Sequence, residues 1–373
     1  MMQIATEVRW QNRHAEIPRE RILLSEELGF DAVFTAGGSG CEELVELGYL
    51  AAITSKMKIG TRITEVTGRA PVVTAAAFQT LNHLTGGGRI IAGLGSGSPV
   101  ACESLQGRPW GKPVARMRDF VTLMRQVFAG EKLDHQGTEW SAPYRGPGSL
   151  NQDHARNGLD PFGDIPICIA ASGPQMTELA AEIADGWMPP GWAPGILPAM
   201  LPLLERGFAR AGGGKSLKDF EIWAHVDMNV DDDVRAAMRP FKAYVVTWSQ
   251  MQRPFMEARG YPNLADELAV IIAEAHAAGA ADNAEARVQQ FLPMLDEPYW
   301  QRAVDAVPDE YIDEGWLVGP AKRIESRVEP WLDCGLTGLI FRYGDQMTFD
   351  HHVENLDAFR AVASAAGRAP FKG

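Results

Sequence analysis

Short apolar segments alternate with helix-forming segments along almost the whole chain, and this alternation restricts the possible folds more than any other feature of the sequence. Eight segments have the length and apolar content of buried strands. In chain order they are Gln3–Val8, Ala32–Thr35, Met57–Thr64, Ile90–Leu94, Pro166–Ala171, Gly186–Pro189, Phe220–Val230 and Gly338–Tyr343. Helical patterns separate them, which favours parallel strands. We therefore predict an α/β fold in which eight parallel strands close into a (β/α)8 TIM barrel.

A doubly wound open sheet is the alternative fold for such a sequence. The dinucleotide-binding pattern G-x-G-x-x-G is missing after the first strand, which weakens that alternative. Two stretches, at about 131–164 and about 231–315, are too long to be bare connections. We predict that they are insertions at the C-terminal face of the strands, within a single domain that spans residues 1–373.

The charge balance narrows the classes of partner. The chain has 35 Lys and Arg against 48 Asp and Glu, which gives a formal net charge of −13. This excess argues against nucleic acid or an anionic membrane as the main partner. The N-terminus lacks the apolar core of a signal peptide, and no run of eighteen apolar residues occurs. We expect a cytoplasmic protein whose partner is a small-molecule substrate.

The fifth predicted strand is followed by Ser172, Gly173 and Pro174, and a helical pattern begins directly after them. A helix N-terminus has unpaired N–H donors and about half a positive charge, so it suits a phosphate. Gly173 would let the backbone approach closely, and Ser172 would add a hydroxyl. An ordinary cap, with Ser172 as the capping residue and Pro174 near the first turn, explains the same residues equally well.

Two other strand ends also offer binding residues. The fourth strand is followed by Gly95, Ser96, Gly97 and Ser98. These residues would let an extended planar ligand lie against the backbone, although a flexible turn has the same composition. Arg62 interrupts the apolar third strand. It either points into the barrel mouth towards an anion or forms a salt bridge on an outer face.

Two histidines are candidates for proton transfer, His14 in the first loop and His225 in the seventh strand. A lone histidine in a strand is more often a hydrogen-bonded core residue than a base. No His-x-His pair and no cluster of carboxylates occurs at a strand end, so no metal site is predicted. The four cysteines are scattered and have neither zinc-ligand spacing nor a disulfide framework.

Four stretches resemble the bacterial luciferase-like superfamily of flavin- and deazaflavin-dependent oxidoreductases. They read EELGFDAVF, KIGTRITEVTGRAPVVTAAAFQTLNHLTGGGRIIAGLGSGSP, IPICIAASGPQMTELAAEIADGW and DEGWLVGPAKRIESRVEPWLDCGLTGLI. The resemblance implies a barrel that holds the cofactor ring at the strand mouths, beside the Gly95–Ser98 turn. It places the cofactor phosphate at Ala171, Ser172 and Gly173. It also implies a cis peptide bond between Arg62 and Ile63, beside the ring.

The sequence departs from the family pattern where an acid–base group is expected. Many relatives have Asp or Glu followed by His at the end of the second strand, where this chain has Gly37 and Gly38. Some deazaflavin-dependent relatives have a Glu after the fourth strand, where this chain has Ser98. His14 or His225 could replace these groups, on the basis of placement alone.

Three functions follow from the resemblance. The leading one is coenzyme F420-dependent hydride transfer to or from a small alcohol, carbonyl or activated alkene. The second is an FMN-dependent monooxygenase that uses O2 and a separate flavin reductase, and the third is a non-catalytic flavin-binding member. The resemblance also implies a homodimer, for which the alanine-rich helices Glu42–Ile53 and Pro71–Leu84 are suitable. Five tryptophans suggest an apolar or aromatic substrate if they lie near the mouth: Trp10, Trp110, Trp187, Trp192 and Trp248.

Overall fold

The computed structural model describes residues 2–8, 17–36, 41–278, 298–343 and 352–368. Its strands are β1 (Gln3–Val8), β2 (Ala32–Thr35), β3 (Lys58–Thr61), β4 (Thr64–Glu65), β5 (Ile90–Gly95), β6 (His135–Gln136), β7 (Ser141–Ala142), β8 (Ile167–Ala170), β9 (Gly186–Met188), β10 (Glu221–Asn229), β11 (Leu317–Val318) and β12 (Gly338–Tyr343). Its helices are α1 (Arg19–Glu27), α2 (Glu43–Ile53), α3 (Pro71–Leu84), α4 (Pro113–Phe128), α5 (Pro174–Ile183), α6 (Leu197–Ala211), α7 (Val234–Ala258), α8 (Leu264–Ala277), α9 (Pro298–Ala306), α10 (Asp309–Gly315), α11 (Ala321–Arg327), α12 (Glu329–Leu332) and α13 (His352–Ala365).

Helix α3 shows how local sequence sets the element boundaries. Pro71 occupies the first helical position, where its missing N–H costs no hydrogen bond. Three glycines, Gly86, Gly87 and Gly88, follow the helix with φ of 81°, 85° and 76°. This left-handed backbone is open to glycine at little cost, and it turns the chain into β5. The predicted helix Pro71–Leu84 is confirmed at both ends.

The chain divides into two compact units by its internal contacts. The first unit comprises Met1–Asp31, Pro189–Pro202 and Ile222–Gly373. Its strands lie in the order β11-β10-β12-β1, and all of these pairs are parallel. The predicted insertion after β10 is helical in its described part, where α7, α8, α9 and α10 pack around a hydrophobic core of their own.

The second unit comprises Ala32–Met188 and Leu203–Glu221. Its strands lie in the order β2-β3-β5-β8-β9, again parallel, and the short strand β4 also pairs with β5. The excursion predicted at about 131–164 contains a small antiparallel hairpin, β6–β7. Helices α3 and α4 pack against each other, as do α4 and α5.

The strand order decides between the two predicted folds. A doubly wound sheet reverses its order at a switch point. In the second unit each barrel strand instead pairs with the next one along the chain, from β2 to β9. The predicted fold class, a (β/α)8 TIM barrel, is confirmed, with β1, β2, β3, β5, β8, β9, β10 and β12 as its strands.

The third predicted strand, Met57–Thr64, is divided in the structure. β3 pairs with β5 at Ile59 and Ile90, whereas β4 pairs with it at Thr64 and Leu94. The β3–β4 segment therefore has one residue more than β5 between these pairs, and the strand bulges there. The bulge contains the Arg62–Ile63 peptide bond, and the prediction that this bond is cis is confirmed.

Candidate active site and cofactor-binding turns

The turn after β8 is open where a ligand could approach. Helix α5 takes Gly173 as its N-cap and Ser172 makes no capping bond, so the interpretation of Ser172 as the cap is wrong. Gly173 has φ −80° and ψ 151°, an extended conformation that any residue adopts. A Cβ atom built on Gly173 would meet no atom within 4 Å. Neither backbone conformation nor packing therefore explains a glycine at this position.

The first backbone N–H groups of α5 have no acceptor within the helix. The Thr177 N–H donates to the Gly173 carbonyl at 3.0 Å, which is the first bond of the helix. The N–H groups of Gln175 and Met176 precede it and have no acceptor within the helix. The buried Trp187 fixes the turn from below, because its indole N–H donates to the Ala171 carbonyl at 2.8 Å. The arrangement suits an anion such as a phosphate.

The glycine-rich end of β5 is shaped by the bulged strand beside it. A Cβ on Gly95 would lie 2.6 Å from Cδ1 of Ile63, so only glycine lets these two segments pack as they do. Gly97 has φ 68°. The Ser98 hydroxyl accepts a hydrogen bond from the Ala101 N–H at 3.0 Å, at the start of the short π-helical turn Ala101–Leu105. Ser98 thus has a structural role in addition to its predicted one.

The binding turns predicted from the sequence come from neighbouring strands of the second unit. Glu65 of β4 pairs with Gly95, and Leu94 of β5 pairs with Ile169 of β8. Since all of these strands are parallel, the Gly95–Ser98 and Ala171–Gly173 turns leave the same edge of the sheet from adjacent positions. The structure therefore brings Ile63, the glycine-rich turn and the Ser172–Gly173 turn to one side of this unit.

Glu65 is a charged residue at this edge that sequence reasoning missed. Its carboxylate accepts a hydrogen bond from the Gln106 side chain at 3.0 Å and lies beside Gly97. Burial raises the pKa of the Glu65 carboxyl, and the bond from Gln106 partly offsets this effect. The signal in the sequence was an acidic residue directly after the predicted third strand.

A second candidate site is a small cleft within the first unit. Its lining comes from the loop after β9, from β10, from α7 and from the end of α10. The lining residues are Pro190, Gly191, Trp192, His225, Asp227, Gln252, Phe255, Arg259, Tyr311, Gly315 and Trp316. Of the five tryptophans suggested from the sequence, Trp192 lies in this cleft.

Asp227, which lines the cleft, belongs to a group of buried charged residues. Arg342 of β12 donates to both carboxylate oxygens of Asp227, at 2.7 and 2.6 Å, and lies 3.8 Å from Glu7. All three residues are buried. Burial alone would lower the pKa of Arg342, but the Asp227 and Glu7 carboxylates outweigh it and raise that pKa. The guanidinium therefore stays charged, and it fixes the Asp227 carboxylate next to His225.

His225 is the predicted catalytic residue that the structure places at a cleft. Its side chain is 7% exposed, and Nε2 lies 3.8 Å from an Asp227 oxygen. The other candidate, His14, lies outside the described residues, and so do Gly37 and Gly38.

One wall of the cleft is aromatic, and it includes Arg259, whose guanidinium is paired with neighbouring residues. The Arg259 guanidinium lies 3.8 Å from the centroid of the Tyr311 ring and donates to the Tyr311 carbonyl. It also lies 3.5 Å from Glu314. A Cβ on Gly315 would come within 2.7 Å of this guanidinium, which explains the glycine. Burial raises the pKa of the Tyr311 phenol, although Arg259 opposes that effect.

In the described ranges, no group of three or more His, Cys, Asp or Glu side chains could hold a metal ion. No helix in that part of the chain is long and apolar enough to cross a membrane.

A barrel of this topology, with small-residue turns at the ends of β5 and β8, defines a class of cofactor-binding enzymes, and comparison with known proteins identifies it. The family model for luciferase-like monooxygenases matches residues 15–338. The chain belongs to this family and is an oxidoreductase. The family predicted from the four stretches of sequence is thereby confirmed.

Relatives of known sequence cover nearly the full length of the chain. A putative coenzyme F420-dependent oxidoreductase, Rv3520c of Mycobacterium tuberculosis, is 30% identical over 89% of this chain and 90% of its own. An F420-dependent glucose-6-phosphate dehydrogenase of Beutenbergia cavernae is 28% identical over 88% of each chain. Among solved structures, the coenzyme F420-dependent tetrahydromethanopterin reductase of Methanopyrus kandleri has a TM-score of 0.69 at 22% identity and covers 96% of this chain and 97% of its own.

Proposed function

We propose that this chain is a coenzyme F420-dependent oxidoreductase that moves a hydride between the cofactor and a small organic alcohol, carbonyl or activated alkene. The observation that carries the proposal is the agreement of relatives that match 88–89% of the chain and are named for F420. The predicted cofactor agrees with these names.

The residues at the β8–α5 turn fit the phosphate of such a cofactor. No atom lies within 4 Å of the position that a Cβ on Gly173 would occupy, so the space beside this glycine is available to a ligand. The N–H groups that begin α5 supply donors, and the helix end supplies partial positive charge. Ala171, Ser172 and Gly173 would hold the phosphate, while Arg62, Ile63 and the Gly95–Ser98 turn would lie along the ring.

The deazaflavin ring, when bound, accepts or donates one hydride. Oxidation of an alcohol breaks the carbinol C–H bond and the O–H bond and forms a carbonyl, so the hydride needs an acceptor and the proton needs a base. His225 is our candidate for that proton, because a neutral imidazole nitrogen accepts it and the nearby Asp227 carboxylate stabilises the charged ring. Reduction of a carbonyl uses the same proton in the opposite direction. His14 remains the second candidate.

Titration under anaerobic conditions tests the choice of cofactor. We expect F420 to bind with a change in its fluorescence and FMN to bind more weakly. Gly173→Val should reduce F420 affinity without changing thermal stability, since its backbone conformation suits any residue. The matched control is Gly158→Val, another glycine with no atom within 4 Å of its added Cβ. Tight FMN binding, with O2 consumption when a flavin reductase is added, would instead support the monooxygenase alternative.

We also propose that the protein forms a homodimer through α2 and α3 of the second unit. Val45 and Tyr49 are 73% and 45% exposed on one face of α2, and Val73 of α3 is 60% exposed. Residues four apart lie on the same side of a helix, so the first two form a continuous apolar surface. Light scattering should give twice the chain mass for the wild type and the mass of one chain for a Val45→Glu/Val73→Glu variant. A monomeric wild type would refute the proposal.

A further inference from the structure

Three polar side chains surround Gly97 in the glycine-rich turn after β5. A Cβ built on Gly97 would lie 3.0 Å from the Thr67 hydroxyl oxygen and 3.1 Å from a Glu65 carboxylate oxygen. The Gln106 side-chain N–H donates to that same Glu65 oxygen at 3.0 Å. These residues come from β4, from the segment after it and from the end of the π-helical turn Ala101–Leu105. Three separate segments therefore place polar atoms against one turn.

Two of these polar groups have no partner within the protein. Thr67 is 1% exposed, and within the described part of the chain its hydroxyl makes no hydrogen bond. The same is true of the buried carbonyl oxygen of the Gln106 side chain. Buried polar groups are nearly always hydrogen-bonded, so these atoms are suited to a partner from outside the chain. Glu65 and Gly97 are only half-buried, which leaves the group open to a ligand.

The group lies at the edge from which the cofactor-binding turns leave. Glu65 pairs with Gly95, the first residue of the glycine-rich turn, and follows the cis-bonded Ile63 by two positions. A ligand that lies along this turn therefore passes the Glu65 carboxyl and the Thr67 hydroxyl.

An ionised Glu65 would oppose binding of the cofactor. The cofactor carries a phosphate, and a second anion at the same edge repels it. Burial raises the pKa of the Glu65 carboxyl, the bond from Gln106 partly offsets this effect, and no charged side chain of the described residues contributes. A protonated carboxyl has an O–H donor, which suits a carbonyl oxygen such as those on the pyrimidine edge of a deazaflavin.

We propose that Glu65 is a cofactor-binding residue that holds coenzyme F420 as a neutral carboxyl, together with the Thr67 hydroxyl. The proposal rests on the proposed function and adds two residues to its cofactor contacts. Binding takes up a proton wherever Glu65 is ionised in the free protein. The affinity for F420 therefore falls as the pH rises, by about tenfold at most for each pH unit above the pKa of Glu65.

Calorimetric titration with F420, at several pH values between about 5 and about 8, tests this proposal. Two buffers of different ionisation enthalpy are used at each pH, so that the heat also reports the protons taken up. Glu65→Gln is the main variant, because its amide still accepts from Gln106 and still donates an N–H but does not titrate. Glu131→Gln, an exposed glutamate of the same unit, is the matched control. Thr67→Val removes the buried hydroxyl and keeps the shape of the side chain.

At about pH 5 we expect the wild type and Glu65→Gln to have F420 affinities within about twofold of each other, whereas at about pH 8 the wild type should bind about tenfold more weakly than the variant. Any titration of the cofactor itself is common to both proteins. Binding to the wild type should take up more protons than binding to Glu65→Gln. Thr67→Val should weaken binding about three- to tenfold at every pH, the loss of one hydrogen bond, and Glu131→Gln should follow the wild type.

The outcomes separate this proposal from the proposed function. If F420 binds, but the ratio of the wild-type affinity to the Glu65→Gln affinity is the same at every pH, the Glu65 contact is refuted and the cofactor assignment stands. Equal proton uptake by the two proteins refutes it as well, and wild-type affinity in Thr67→Val refutes the part assigned to the hydroxyl. If F420 does not bind to the wild type at any pH, the proposed function fails, and this contact fails with it.

Discussion

Protonation of Glu46 should make the stability of the protein depend strongly on pH. Glu46 of α2 is 6% exposed, with Cys41 beside it and the carboxylates of Glu43 and Glu42 close by. Burial, together with these two carboxylates, raises its pKa from 4.5 to about 7, although the Cys41 thiol opposes the change. The folded protein therefore holds this proton more tightly than the unfolded chain does.

The sign and size of the effect follow from that difference. A raised pKa stabilises the folded state fully below pH 4.5, and this stabilisation is lost as the pH rises through about 7. Each pKa unit corresponds to about 1.4 kcal/mol, so the full change is about 3 kcal/mol, of which about 2 kcal/mol falls between about pH 5.5 and about pH 8.5.

Urea unfolding of the wild type and of Glu46→Gln, at those two pH values, measures the effect. The glutamine resembles the protonated acid and does not titrate. At the higher pH we expect the free energy of unfolding of the variant to exceed that of the wild type. This excess should be about 2 kcal/mol larger than any difference between the two proteins at the lower pH. Glu27→Gln, an exposed residue on α1, is the control. If the free energies of unfolding of the variant and the wild type differ by the same amount at both pH values, the reasoning is refuted.

Two further substitutions test other contacts. Asp227→Asn should lower the free energy of unfolding by about 3–5 kcal/mol because it leaves the buried Arg342 cation without its carboxylate, and a urea midpoint equal to that of the wild type would contradict this expectation. Gly93→Ala should prevent folding or greatly lower the melting temperature, since the added Cβ would lie 1.8 Å from the Thr61 carbonyl oxygen, whereas Gly158→Ala meets no atom within 4 Å and should melt as the wild type does.

The sequence predicted most strands and helices because their signals are local. Apolar runs, a proline at the first position of α3 and glycines after it are all visible within a few residues. The bulge at Arg62 was not visible as such, since it depends on how β3 and β4 pair with β5, about thirty residues further along. Its peptide bond was predicted correctly only through the resemblance to a family.

Non-local contacts also limited what could be said of the site. Asp227 and Arg342 are 115 residues apart in the chain, and no local pattern links them. The choice between a cap and a ligand at Ser172 required the helix start to be known within one residue. Gln252 lies in a helical stretch whose pattern predicts a helix and gives no indication of a cleft.

The separate core of helices α7–α10 has an evolutionary consequence. Side chains such as Phe241, Leu268 and Val304 are buried in one hydrophobic core within that segment, so much of its stability comes from contacts within it. Substitutions there can accumulate without disturbing the glycine turns after β5 and β8, which belong to the other unit. Gln252 and Phe255, which line the cleft, belong to α7. Among relatives we therefore expect the sequence to diverge more in this segment than at those turns.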